Sequence, residues 1–341
     1  MKQTKKVNIG LVGVANHGRT IYNAIRAADN LTLTTCFDTN RAAAEQTAVE
    51  SGARLAGSYE DLIHDPTIDA VALVTPNHLH AEEVRLAAAA RKHVFVEKPI
   101  AVTIPEGKEM IGLLRQAGLV LMVGHNTRRR QVFRRAKAIL DEGKLGRIVA
   151  IEGNLSRPAG LQSGLPSWKA DPTKCAILPM TQLGIHLVDT AEYLVGPVRR
   201  VSCAAANVAM PGGVLDATAA LLQLESGIPF ALTSYYVSPD AYFLRIYGTQ
   251  GLLHCYPTSL RLELTENGEP SAAFEEEFRQ EGAGSYNLQM REFAGCVLTG
   301  HEPETGGKEG LRALAVIEAM RQSLISSAFV DVETVLSGTL P

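Results

Sequence analysis

The chain has 341 residues, 46% hydrophobic and 20% charged, a balance that rules out a disordered or fibrous polypeptide and leaves room for two domains. Its 33 Lys and Arg against 36 Asp and Glu give a net charge of −3, without the basic bias that nucleic acid or an anionic membrane surface calls for. No apolar run reaches bilayer-spanning length, so neither nucleic acid nor membrane is expected as a partner. The basic start, Met1 to Lys6, is followed by Asn8, Gly10 and Gly13 and reads as a strand entering a turn rather than a signal peptide. Cys36, Cys175, Cys203, Cys255 and Cys296 are scattered, with neither metal-ligand nor disulfide spacing. The expectation is a cytoplasmic protein without a metal, acting on or binding a small molecule.

In chain order, Val7–Val12 is a short apolar strand ended by Gly13, and Arg19–Ala28 carries Ile21, Ala24, Ile25 and Ala28 on one helical face. Leu31–Phe37 reads as a strand, Arg41–Ser51 as a helix, Ile68–Val74 as a strand, His78–Arg91 as a helix and His93–Val96 as a strand. A helix opened by Pro105 runs to about Ala117, and Leu119–Val123 closes the series. Strand and helix alternating without hairpin signals predict a doubly wound parallel sheet over residues 1–123. Beyond it, Arg130–Glu142 reads as a helix and Arg147–Leu155 as a strand. Ser156–Lys174 is a Pro-, Gly- and Ser-rich loop long enough to suggest function. Met180–Val195 reads as helical. Strands follow at Val198–Val208, Leu215–Leu224, Ile228–Val237, Tyr242–Tyr247, Leu252–Cys255 and Leu260–Leu264, separated by tight turns, and helices at Tyr286–Leu298 and Lys308–Ser326. Residues 124–341 therefore read as an α+β domain on a largely antiparallel sheet.

Three constellations sit at strand ends in the first domain. Gly13-x-Ala15-x-x-Gly18, with Asn16 and His17 between, joins a strand to a helix as a dinucleotide fingerprint does. Ala replaces the middle glycine, narrowing the backbone approach by one methyl group. Asp38 ends the second strand where a carboxylate accepts from a ribose diol and repels a 2′-phosphate, so NAD is expected over NADP. Arg41 nearby leaves NADP as the lesser alternative. Thr75-Pro76-Asn77-His78-Leu79-His80 follows the strand ending at Val74 and faces the cofactor crevice, with Asn77 also suited to cap the next helix. Glu97-Lys98-Pro99 follows the strand His93–Val96. Pro99 restricts Lys98 to extended geometry and would aim its ammonium into the crevice, where a neighbouring nicotinamide would lower its pKa.

In this order and spacing the three motifs resemble the Gfo/Idh/MocA oxidoreductases, over nearly the whole chain. The resemblance implies that Lys98 contacts both substrate hydroxyl and nicotinamide, and that Asn126 lies near the nicotinamide end of the cofactor. It also draws attention to Gln182-Leu183-Gly184-Ile185-His186. The family has Asp, three residues, then His after a Gly-rich lead-in; this chain has Cys175-Ala176-Ile177-Leu178-Pro179 and then Gln182. His186 is the expected acid/base, since imidazole titrates near neutrality, and Gln182, four residues earlier on the same helix face, supplies a hydrogen bond but no titrating proton. Trp168-Lys169 resembles the family's Trp-Arg segment near the active site and offers a stacking surface for a sugar. The cluster Arg128-Arg129-Arg130 with Arg134-Arg135 reads as a solvated helix face from which Arg128 could reach a ligand.

These residues predict an NAD-dependent dehydrogenase acting on a secondary hydroxyl of a sugar, sugar acid or cyclitol. His186 would take the proton and Lys98 would polarise the oxygen. The alternatives are an NAD-dependent lyase or glycosidase working by transient oxidation, and a regulatory protein that binds NAD and sugar without turnover. Pairing of the C-terminal sheet into a homodimer or homotetramer is also expected.

Overall fold

The computed structural model describes residues 5–162, 165–278 and 284–338. Its elements run β1 (Val7–Val12), α1 (His17–Ala27), β2 (Leu31–Phe37), α2 (Arg41–Ser51), β3 (Arg54–Leu55), α3 (Tyr59–Ile63), β4 (Ala70–Leu73), α4 (His80–Ala89), β5 (His93–Val96), α5 (Ile104–Gln116) and β6 (Leu121–Val123). They continue with α6 (Gln131–Asp141), β7 (Ile148–Ser156), α7 (Ser167–Ala170), α8 (Ile185–Leu194), β8 (Val198–Ala206), β9 (Ala217–Leu224), β10 (Pro229–Tyr235) and β11 (Ala241–Gly248). The last are β12 (Gly251–Cys255), β13 (Ser259–Glu266), β14 (Glu269–Glu277), α9 (Gly284–Thr299), α10 (Gly307–Ser326), β15 (Val330–Asp331) and α11 (Val332–Ser337). Among the described residues no helix is long and apolar enough to cross a membrane.

The chain divides into two compact units, Met1–Asn126 with Gly282–Leu311, and Thr127–Glu281 with Arg312–Pro341. The first contains a six-stranded sheet in the order β3-β2-β1-β4-β5-β6, parallel throughout. Every residue of β4 is buried, as a strand covered on both faces must be. The order reverses between β1 and β4, and in such sheets ligands bind at the carboxyl ends beside that switch. Helix α5 starts with a capping box in which Thr103 accepts from Glu106 and the Glu106 side chain from Thr103, with Pro105 in its first turn.

The division differs from a boundary at residue 123 with everything after it in one domain. Helix α9 returns to the first unit because Met290, Phe293 and Ala294 complete the cluster formed by Ile21, Ile25, Phe95 and Met122. The Phe293 and Phe95 rings meet edge to face at 6.1 Å. Periodicity reveals that such a helix has a buried face; it does not reveal which sheet buries it.

The second unit is built on nine strands in the order β14-β13-β12-β11-β7-β10-β9-β8-β15. All neighbours are antiparallel except β7 and β10. Buried and exposed residues alternate along β9 and β10, so one face of the sheet is covered while the other is open. Strand β14 escapes the sequence pattern because its residues are nearly all exposed and only its pairing with β13 makes it a strand.

One buried carboxyl in the first unit couples this fold to pH. Glu83 of α4 is 8% exposed, and burial pushes its pKa up to about 7 despite the Thr75 hydroxyl, which donates to Oε2 at 2.5 Å. The unfolded chain releases this proton near pH 4.5 while the fold keeps it to about pH 7. Between those values the unfolded state holds fewer protons, so stability falls as pH rises and levels off above 7. The loss amounts to roughly 3 kcal/mol. Glu83→Gln, which can still accept from Thr75, is expected to raise Tm at pH 8 and to leave it nearly unchanged at pH 4.5. Equal effects at the two pH values in thermal unfolding would show that the carboxyl is not the cause.

Candidate functional site

The loop after β1 depends on two glycines. Gly13 has φ +81°, and a Cβ there would lie 2.4 Å from the Val74 carbonyl oxygen; one on Gly18 would lie 1.9 Å from the Gly13 oxygen. No side chain fits at either place. Val14 and Ala15 donate their amides to Asp38 Oδ2 at 2.7 and 3.0 Å, and Asn40 donates to Oδ1 at 2.7 Å. Gly18 and Arg19 donate to the carbonyls of Ala15 and Asn16. The amides of Asn16 and His17, at the head of α1, have no acceptor among the described residues. Two adjacent open N–H groups at the positive end of a helix suit a pyrophosphate, so the loop fits a dinucleotide on its own donor geometry.

Asp38 is thus first of all a brace for this loop. It accepts three N–H groups, and a carboxylate has about four acceptor sites, so one remains for a ribose hydroxyl. Arg41 directs Nε to Glu45 at 2.8 Å along the exposed face of α2.

The loop after β4 differs from expectation at both ends. Asn77 is buried and opens a short 3-10 turn, Asn77–Leu79, rather than capping α4, which starts at His80 without a side-chain cap. His80, expected to bind cofactor, is 0% exposed. Its Nδ1 lies 3.0 Å from the Pro99 oxygen and 3.3 Å from that of Ile100, and its Nε2 lies 3.1 Å from the Thr75 oxygen. The imidazole lies between the Thr75-Pro76 loop and the chain just past Lys98 and links them, donating from one nitrogen when neutral and from both as imidazolium. Burial lowers its pKa against the pull of those carbonyls.

Glu97 is buried against Gly124, where a Cβ would come within 2.8 Å of its carboxyl. Burial pushes its pKa up, but His17 and Lys98 outweigh that and hold it below the usual carboxylate range. His17 Nε2 lies 3.1 Å from Oε1, and the Lys98 amide donates to Oε2 at 3.1 Å. Lys98 itself is half-buried, and its peptide bond to Pro99 is cis. Asn126 is buried and donates Nδ2 to Ser285 Oγ at 2.9 Å.

In the second unit the arginine cluster divides: Arg134 is exposed, whereas Arg128 and Arg129 are buried. Arg128 and Arg129 are 6% and 1% exposed. Arg128 forms a fork with Asp189, Nε to Oδ2 at 3.0 Å and Nη2 to Oδ1 at 2.6 Å, which ties it to α8. The expected continuous helix from Met180 is a π-helical turn, Met180–Gly184, leading into α8. The i→i+5 bonding of that turn sets Gln182 off from the position directly above His186. Gln182 Nε2 lies 3.7 Å from Cys175 Sγ. His186 is half-buried, with Nδ1 3.1 Å from Thr127 Oγ1. Trp168 is half-buried against Cys175, Leu178, Met210 and Tyr236, and Lys169 Nζ stands 5.5 Å from its ring centroid.

Sequence reasoning missed Thr127, Ser285 and Glu83, whose partners are remote in sequence or belong to a different element. Only the place of Thr127 between Asn126 and Arg128, both named from the sequence, hinted at a role. The cross-tie through His80 is directly testable. His80→Leu removes the N–H that the ring donates to a buried carbonyl and leaves that carbonyl unpaired, which costs about 1–3 kcal/mol of stability. It is also expected to weaken NAD binding in calorimetry, because the Thr75 loop loses its anchor. Unchanged NAD affinity in a destabilised variant would reduce His80 to a fold-holding residue.

A family profile described as "Oxidoreductase family, NAD-binding Rossmann fold" matches residues 7–125, and the "GFO/IDH/MocA C-terminal domain" profile matches residues 133–254. The chain is 28% identical to D-xylose 1-dehydrogenase (NADP(+)) 2 of Haloferax volcanii, over 95% of this chain and 99% of that protein. It is 25% identical to myo-inositol 2-dehydrogenase of Thermotoga maritima, over 97% of this chain and 100% of that protein. Among solved structures it is similar to levoglucosan dehydrogenase in complex with NADH and levoglucosan, with a TM-score of 0.88 and 22% identity over 96% of this chain and 100% of that one. At that identity the likeness is one of fold. The glycine turn, the two-sheet architecture and both profile matches make the chain a member of the Gfo/Idh/MocA oxidoreductases, whose N-terminal domain is an NAD-binding Rossmann fold.

Proposed function

We propose that this chain is an NAD-dependent dehydrogenase that moves hydride between nicotinamide and a secondary hydroxyl of a polyhydroxylated substrate: a sugar, sugar acid or cyclitol. The observation that carries this reading is the pair of open amides at Asn16 and His17, beside a loop braced by Asp38. NAD supplies the hydride acceptor in oxidation and, reduced, the donor in the reverse direction. The protein's part is to hold the reacting oxygen and handle its proton. Lys98 donates from its ammonium to the substrate oxygen and stabilises negative charge as it develops there. His186, whose Nδ1 faces Thr127 Oγ1, takes the hydroxyl proton in oxidation and returns it in reduction. Gln182 and Trp168 contribute a hydrogen bond and a stacking face.

Asp38 supports NAD over NADP, since a 2′-phosphate beside a carboxylate is repelled and Arg41 is engaged by Glu45. Calorimetry is expected to give the tighter Kd for NAD. Tighter NADP binding would point to Arg41 leaving Glu45 to clamp the phosphate.

Gln182 favours a second reading, a protein that binds NAD and sugar without turnover, because the family's carboxylate is missing. Kinetics on a panel of sugars and cyclitols separates the two. Lys98→Ala is expected to lower kcat by roughly a hundredfold or more while NAD affinity persists. Gln182→Asp adds a carboxylate near His186, favours the imidazolium, and so should move the acidic limb of the kcat/KM profile to higher pH. Activity appearing only in Gln182→Asp would establish the parent as a binder, and full activity in His186→Ala at every pH would remove the histidine from the mechanism.

A further inference from the structure

The second unit holds a partly buried ammonium without a counter-charge. Lys169 of α7 is half-buried, its Nζ over the Trp168 ring. Among the described residues no carboxylate comes within ion-pair distance of it. Asp171, two residues on, is engaged by Lys174 at 3.2 Å and by the Thr173 amide and hydroxyl. Burial draws the Lys169 pKa down, and the one ionisable group that opposes this is the Cys175 thiol. A desolvated ammonium is costly unless an anion pairs with it. The aromatic face beneath it attracts the cation but does not neutralise it.

The same sulfur connects Lys169 to the residue where this chain departs from its family. Gln182 Nε2 lies 3.7 Å from Cys175 Sγ, and Trp168, whose ring carries Lys169, packs against the cluster to which the same cysteine belongs. A carboxylate at 182 would supply negative charge here; the amide supplies none and has an N–H to donate. A neutral polyol would bury Lys169 further and leave it unpaired. A carboxylate matches one ammonium and one amide donor, whereas a doubly charged phosphate needs more cation than one lysine provides.

We propose that the substrate carries a carboxylate, as a uronic or aldonic acid does, with Lys169 as its counter-charge and Gln182 as an accompanying amide donor. This rests on the oxidoreductase reading above and narrows it to acidic sugars. Gln in place of Asp then becomes a specificity feature, since a carboxylate at 182 would repel the same substrate.

Trp168 is the single tryptophan of the chain, and Lys169 stands on its ring, so intrinsic fluorescence reports binding at this spot. The full chain, saturated with NAD, would be titrated with D-glucuronate, D-galacturonate and D-gluconate. D-Glucose, D-galactose, myo-inositol and D-glucose 6-phosphate complete the set. At least one acid is expected to bind roughly tenfold or more tightly than its neutral counterpart, the size of a charge-assisted hydrogen bond. That ratio should fall close to one in Lys169→Gln and survive in Lys169→Arg. Acids that bind no better than neutral sugars, a preference that persists in Lys169→Gln, or tighter binding of glucose 6-phosphate than of every acid would each overturn the proposal. Because the readout is binding, the two readings fail separately. Acid binding without NADH formation sinks hydride transfer alone, and NADH formed from neutral sugars at least as well as from acids sinks the acidic-substrate assignment alone.

Discussion

The first unit is held together at its reactive edge by a close approach of two backbones, Gly13 against the Val74 carbonyl. A Cβ at residue 13 would sit 2.4 Å from that oxygen, so only glycine lets the loops after β1 and β4 lie side by side. From there the constraints form a chain. Thr75 follows Val74, and its hydroxyl and carbonyl are held by Glu83 and His80 from the start of α4. The other nitrogen of His80 holds Pro99 and Ile100, which fixes the backbone just after Lys98. Glu97, on the other side of Lys98, rests on Gly124 and faces His17 at the head of α1. Lys98 is therefore held from both sides by a largely buried polar frame within the first unit, and a buried network of this kind is rigid when each member is satisfied.

Much of that frame was legible locally and much was not. Gly13 and Gly18 could be read because turn geometry depends on adjacent residues, and Asp38 because its place follows from strand length. The role of His80 could not. Its partners are Thr75 and, across another strand, Pro99 and Ile100, and nothing in a Thr-Pro-Asn-His-Leu-His string says that the last side chain turns inward. Asp38 was itself read too simply. Its position was clear, but its carboxylate serves Val14, Ala15 and Asn40 before any ribose. The arginines at 128 and 129 show the opposite error, in which a run of like charge suggested solvent. A buried guanidinium needs a partner, and Asp189 supplies it from 61 residues away.

The same limit explains the second unit. A pattern of period 3.6 extends smoothly from Met180 to Val195, yet the first turn is π-helical. Apolar spacing alone does not distinguish i→i+4 from i→i+5 bonding over a single turn. The distinction matters because Gln182 lies in that turn and His186 in the α-helix after it. Gln182 is turned to Cys175, and so toward the residues around Trp168 and Lys169.

The buried Arg128–Asp189 pair then acquires a purpose beyond holding α8. Thr127 and Arg128 are adjacent, and each contacts α8: Thr127 at His186 and Arg128 at Asp189, three residues further along the same face. The fork at Asp189 is bidentate and nearly solvent-free, with side chains 8% and 1% exposed, so its geometry is specific and a single-sided break leaves a bare buried charge. By fixing Arg128, the pair fixes the residue before it, and with it the hydroxyl that faces His186 Nδ1. In a catalytic histidine the partner of one nitrogen decides what the other is able to do. Where a carboxylate would orient an imidazole and also raise its pKa, a threonine hydroxyl orients it without adding charge. The ion pair supplies the rigidity that a single neutral hydrogen bond lacks, and it does so with two charges that cancel each other.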